Sequence, residues 1–194
     1  EVLVTVGGSE AIDIALRAML DPGDEVLIPQ PSYVSYDPCT ILADGVPVSI
    51  PLKNENEFKL TKEELEAVIT PKTKILVMPF PNNPTGAIMT REELEPIAEV
   101  VKEHDLYVIS DEIYGELTYK GGHTSIASLP GMRERTLVIN GFSKRICHDR
   151  METWLCMRTT DHYGSDAEDP SVCYYVCTDQ QPVCSSGSTA QLWG

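Results

Sequence analysis

The sequence of 194 residues predicts an α/β fold with three layers, a mostly parallel central sheet covered by helices on both faces. Three observations lead there. Short apolar runs rich in Val, Ile and Leu alternate with polar segments of helical period from Val2 to Asn140. The apolar runs are mostly continuous, as strands buried on both faces require. The segments between them carry helix-start and turn signals.

In chain order the strands are VLVTV, EVLIP, VPVSI, KILVMPF, LYVIS and TLVIN. The first runs through Gly7-Gly8-Ser9-Glu10-Ala11 into the amphipathic IDIALRAML. Asp21-Pro-Gly-Asp24 and Asp44-Gly45 mark turns. Thr61-Lys-Glu-Glu64 and Thr90-Arg-Glu-Glu93 fit the capping box, where a threonine hydroxyl and a glutamate three residues on satisfy amides at a helix start. After Lys144 the alternation stops. Residues 145–194 show no helical period and no strand beyond the short VCYYVC, so an irregular, disordered or poorly packed tail with no domain of its own is expected. Residues 1–144 then form one partial domain.

The formal charge of −15 argues against nucleic-acid and anionic-membrane partners, which need clustered Lys and Arg. No apolar run approaches the roughly 18–20 residues that span a bilayer, and no signal-peptide pattern opens the chain, so a cytoplasmic location is expected. The natural N-terminus is expected upstream of Glu1. Of six cysteines, only Cys39 precedes position 145. Cys173 and Cys177 have a spacing that suits zinc, but no second pair and no well-placed histidine accompany them, so no metal site is expected.

Ligands of such sheets bind beyond the carboxyl ends of the strands. Each strand end here has an ordinary reading and a functional one. Gly7-Gly8-Ser9 is either a tight turn with Ser9 as helix N-cap or an anion seat at a helix start. Asp111, after LYVIS, is either a helix cap or the partner of a cationic ring nitrogen. Lys144, after TLVIN, is a snorkelling surface residue or a desolvated amine nucleophile. Tyr33, in Pro31-Ser-Tyr33, packs in the core or stacks on a flat ligand. Pro81-Asn82-Asn83-Pro84-Thr85-Gly86 is a stiff turn.

Taken together and in order, GGSEA, PSY, PNNPTG, SDEIY and GFSK resemble the class I/II aminotransferases of fold type I, aspartate or aromatic aminotransferase-like, over Glu1 to Lys144. The resemblance implies an incomplete large domain of a pyridoxal 5′-phosphate enzyme that moves an amino group between an amino acid and a 2-oxo acid. In it Lys144 would form the Schiff base and shuttle a proton, Asp111 would pair with the pyridine nitrogen, and Tyr114 and Asn83 would bond the phenolic oxygen. Tyr114 would also help hold the imine pKa down. Tyr33 would stack on the ring. Gly8, Ser9 and Glu10 would hold the phosphate, chiefly through backbone amides, with Ser143 assisting. The resemblance also implies a homodimer for the intact protein. Other reactions of the same scaffold, a carbon–sulfur lyase or a cyclopropane-forming synthase, share this machinery.

The pattern breaks after the lysine. The family continues with a stretch like AYAMTGWRLGY, whose arginine grips the phosphate; eight positions beyond Lys144 stands Glu152. One extra base just after the Arg145 codon accounts for the break. In the displaced frame Met151 and Glu152 force TGG, tryptophan; Glu152 and Thr153 force lysine or arginine; Trp154 and Leu155 force glycine. The hidden frame thus reads W, K or R, one free residue, then G. Residues 145–194 are therefore expected to be an out-of-frame translation, and the chain an inactive or non-catalytic fragment lacking the phosphate arginine, the small C-terminal domain and the N-terminal arm.

Overall fold

The computed structural model describes residues 2–118, 122–141, 153–157, 174–176 and 183–185. The first helix-and-strand units follow the sequence closely. Strands β1 (Val2–Val6), β2 (Glu25–Gln30), β3 (Val46–Pro51), β4 (Thr73–Met78), β5 (Tyr107–Asp111) and β6 (Thr136–Gly141) coincide with the six apolar runs to within two residues. Helices α1 (Gly8–Met19), α2 (Tyr36–Leu42), α3 (Lys62–Glu66) and α4 (Arg91–Glu103) lie between them.

The seven-stranded sheet has the order β1-β7-β6-β5-β4-β2-β3. Strands β3, β2, β4, β5 and β6 run parallel. β7 (Thr153–Met157) is the exception, antiparallel to both β1 and β6, with Val6 opposite Thr153 and Gly141 opposite Trp154. The sequence shows no strand pattern at TWLCM. What makes it a strand is the slot between β1 and β6, whose facing amides and carbonyls need a ladder partner. A separate two-stranded antiparallel pair joins β8 (Tyr174–Val176), which lies within the VCYYVC run, to β9 (Val183–Ser185).

Alternation along the strands sends side chains into two cores. On one face Val26, Ile28, Ile75, Val77, Ile109 and Ile139 pack against α1 and α2 through Ala11, Ile12, Ala15, Leu16, Tyr36 and Cys39. On the other, Leu27, Leu76, Met78 and Val108 pack against α3 and α4 through Leu65, Leu94, Ile97, Val100 and Val101. Burying such large aliphatic side chains contributes roughly 1.5–3 kcal/mol each. Three layers result, as the sequence predicts.

Both threonine capping boxes form. The Thr61 hydroxyl accepts from the Glu64 amide and the Thr90 hydroxyl from the Glu93 amide, while each glutamate carboxylate accepts from its threonine amide. At the Asp21–Asp24 turn Gly23 takes φ +89°, a conformation that excludes most side chains, and the Asp24 amide closes on the Asp21 carbonyl at 3.0 Å.

Candidate active site

Four strand ends converge on one crevice. β1 delivers Gly7, Gly8 and Ser9; β2 delivers Tyr33 and Tyr36; β4 delivers Pro81 and Asn83; β5 delivers Asp111, Ile113 and Tyr114. Together they line a cavity of about 280 Å³. The structure thus brings Gly8, Ser9, Tyr33, Asn83, Asp111 and Tyr114 to one place. Ser143 and Lys144 lie outside the described residues; β6 ends at Gly141, and its Ile139 is the register partner of Asp111.

At the first strand end Gly7 holds φ +84° and is itself the N-cap residue of α1. That corrects the N-cap reading of Ser9. With the helix starting at Gly8, Ser9 sits inside the first turn and its hydroxyl contacts the Tyr33 hydroxyl at 3.2 Å. Amides in the first turn of a helix have no intrahelical acceptor, so they point outward as donors. The Glu10 carboxylate turns back to accept from the Val6 amide and does not line the cavity, leaving its backbone as its contribution.

Asp111 occupies the opposite end. It is 7% exposed, and its Oδ2 accepts from Tyr36 Oη at 2.7 Å while Oδ1 accepts from the Ile113 amide at 3.3 Å. The second bond is a local Asx-type contact, so the capping tendency of aspartate is expressed in a turn and not in a helix. Burial raises the Asp111 carboxyl above its usual range, opposed by the Tyr36 hydroxyl and the Ile113 amide. Tyr36 is pushed up as well, first by burial and then by the Asp111 charge. Among the described residues no cation faces this carboxylate, an arrangement that calls for a positive group supplied from outside.

The aromatic wall is built by two tyrosines. Tyr33 and Tyr36 meet edge to face, centroids 5.9 Å apart at 81°. Asn82, 4% exposed, clasps the turn behind them: its Nδ2 donates to the Pro31 carbonyl at 3.2 Å and its Oδ1 accepts from the Thr85 hydroxyl at 2.9 Å. The stiff turn thereby locks to the Tyr33 loop and presents Asn83 to the cavity.

Sequence reasoning missed two supports. Tyr36 was signalled only by its i, i+3 spacing from Tyr33. Glu112, 5% exposed, accepts from Ser110 Oγ at 2.9 Å and Ser125 Oγ at 2.6 Å and pairs with His123 Nε2 at 2.8 Å, fixing the chain directly after Asp111. Nothing local in the sequence links Glu112 to residues eleven and thirteen positions later.

The donor set suits a flat ring carrying a cationic atom at the Asp111 end and an anion at the Ser9 end. The aromatic rings and prolines between them are apolar walls, and Asn83 and Tyr114 add polar contacts at the edge.

The chain matches the model of the family described as aminotransferase class I and II over residues 1–147. It is 53% identical over 144 residues to a putative aminotransferase of Bacillus subtilis and 50% identical over 145 residues to an aromatic-amino-acid aminotransferase of Thermococcus litoralis. In each case 74% of this chain aligns, and it spans 37% of the relative's length. Among solved structures, the aromatic aminotransferase from Pyrococcus horikoshii OT3 superposes with TM-score 0.80 at 46% identity, covering 82% of this chain and 43% of that one. The Thermus thermophilus aspartate aminotransferase with maleate gives 0.78 at 40% identity, covering 81% and 41%. A strand-end crevice of this composition, on a sheet of this order, within a sequence so matched, shows that the chain belongs to the class I and II aminotransferases.

Proposed function

We propose that this chain carries the cofactor-holding part of a pyridoxal 5′-phosphate-dependent aminotransferase, which moves an amino group between an amino acid and a 2-oxo acid. The observation that carries the reading is Asp111. A buried carboxylate with no cation beside it among the described residues, facing a cavity whose far end is a glycine-lined helix start, suits a protonated pyridine bearing a phosphate.

When bound, pyridoxal phosphate supplies an electron-withdrawing ring that accepts the electron pair left as an amino acid loses its α-proton. The residues here do the rest. Asp111 holds a proton on the ring nitrogen, and Tyr36 keeps the carboxylate oriented toward it. Tyr33 covers one face and keeps water from it. Asn83 and Tyr114 contact the phenolic oxygen, and the first-turn amides of α1 with Ser9 hold the phosphate. Ser143 is assigned to the phosphate, and the Lys144 amine to covalent attachment and to carrying a proton to and from the substrate α-carbon. The intact protein is read as a homodimer in the cytoplasm, with no nucleic-acid or membrane partner. No helix among the described residues is long and apolar enough to cross a membrane.

The test is spectroscopic. Purified chain mixed with pyridoxal phosphate should give an absorbance band that borohydride fixes, with the label on the Lys144 peptide. No band and no labelled peptide would end this reading.

A second reading is favoured by one coincidence. The family match stops at residue 147, and the sequence pattern breaks after Arg145. Residues 145–194 are then an out-of-frame product, Glu152 replaces the phosphate arginine, and the chain as it stands is a non-catalytic product of an aminotransferase gene. Resequencing the DNA at the Arg145 codon decides it. Deleting one base there should restore the W-[K/R]-x-G continuation, and an uninterrupted frame with no such continuation rules the idea out.

A further inference from the structure

Tyr33 sits where a stacking residue belongs, yet the contact it makes lies at the phosphate end of the cavity. Its hydroxyl is 3.2 Å from Ser9 Oγ, and its ring meets Tyr36 by an edge, leaving Tyr33 to span the cavity wall from the Asp111 side to the α1 start. Hydrogen-bond accounting makes that contact informative. Two hydroxyls carry two protons; the bond between them uses one, so one O–H remains to donate to a third group in reach of both. A phosphate oxygen is such a group. None of the described residues lining the cavity is cationic, and the carboxylate of Glu10 stands beside the same turn. Among the described residues, the side-chain contacts to an anion here come from neutral donors.

We propose that the Tyr33 hydroxyl is a direct ligand of the cofactor phosphate, sharing it with Ser9, so that Tyr33 selects pyridoxal 5′-phosphate over unphosphorylated pyridoxal as well as covering the ring. This rests on the pyridoxal phosphate reading above. A phenylalanine at this position would keep the covering face and lose the selection.

The experiment is equilibrium binding of pyridoxal 5′-phosphate and of pyridoxal to the full chain, followed by absorbance and by quenching of protein fluorescence. Tyr33→Phe is expected to weaken pyridoxal phosphate by about tenfold or more while leaving pyridoxal unchanged, the loss expected of a hydrogen bond to a charged group. Inorganic phosphate should compete with pyridoxal phosphate in the wild type and about tenfold less well in the variant. Combining Tyr33→Phe with Ser9→Ala should give a loss smaller than the product of the two single losses, because both hydroxyls serve one group. An unchanged preference for the phosphorylated form in Tyr33→Phe overturns the proposal and leaves the cofactor site standing. Failure of the wild type to bind either compound overturns both. Far-UV circular dichroism confirms that the variants are folded before either outcome is scored.

Discussion

Tyr36 donates its hydroxyl to Asp111 Oδ2 at 2.7 Å, joining residues 75 positions apart across the strand-end crevice. The bond favours the ionised carboxylate, while burial opposes it and wins, leaving the Asp111 pKa raised. For an acid with a raised folded-state pKa, the linked stability is present below the unfolded value and is lost as pH rises through the folded one. Tyr36→Phe removes the counteracting bond, so the loss should deepen and extend to higher pH. Urea unfolding should show a cost of about 1.5–3 kcal/mol in neutral buffer and a much smaller one in acid. Equal costs at both would mean that the hydroxyl does not bond the ionised form.

Asp111→Asn makes the complementary prediction. The amide keeps an acceptor for the Ile113 amide and a donor for the Tyr36 oxygen, and carries no charge to bury. The empty protein should become more stable at neutral pH, with a flatter pH dependence. Binding of pyridoxal phosphate should weaken by about tenfold or more, read from the same absorbance titration. Opposite movement of stability and affinity is the signature of a residue placed for its ligand and not for the fold.

Glu112 should behave the other way. Its carboxylate joins Ser110, Ser125 and His123 beneath the site. Removing it in Glu112→Ala strands the buried Ser110 hydroxyl and unties the half-buried Ser125 and His123, and should cost about 1–3 kcal/mol. Glu112→Gln keeps the shape but not all the acceptors and should cost less. Thermal denaturation ranks the two, and equal midpoints would show that the retained shape contributes nothing and the carboxylate acceptors alone matter.

The two threonine caps give a control away from the site. Thr61→Ala and Thr90→Ala should each cost about 1 kcal/mol by losing the bond to the Glu64 or Glu93 amide. Neither should alter cofactor binding. A change in affinity for pyridoxal phosphate in Thr90→Ala would indicate that α4 reaches the site through the core.

The parallel sheet was legible because strands buried on both faces need continuous apolar runs, and both capping boxes because their chemistry is local. The cavity residues were legible for a different reason: each stands immediately after a strand, where a parallel sheet places its ligands. What escaped was non-local. Tyr36 matters only because β2 and β5 end side by side, and Glu112 only because the chain returns with His123 and Ser125. β7 escaped because its ladder partners, β1 and β6, create the demand for a strand that TWLCM does not announce. Ser9 was misplaced by two positions because Gly7, free to adopt φ +84°, takes the N-cap place and starts the helix early.

Strand β3 forms one border of the sheet, and its even-numbered neighbours face inward: the Val46 amide donates to Asp24 and the Leu52 amide to Gln30. Pro47 and Pro51 therefore turn toward open water with no N–H to offer, leaving Ser49 the single donor in that outward row. A stray chain meeting this border finds carbonyls but almost no amides. Fibrillar growth by strand addition is blocked there by imino acids placed two pleats apart.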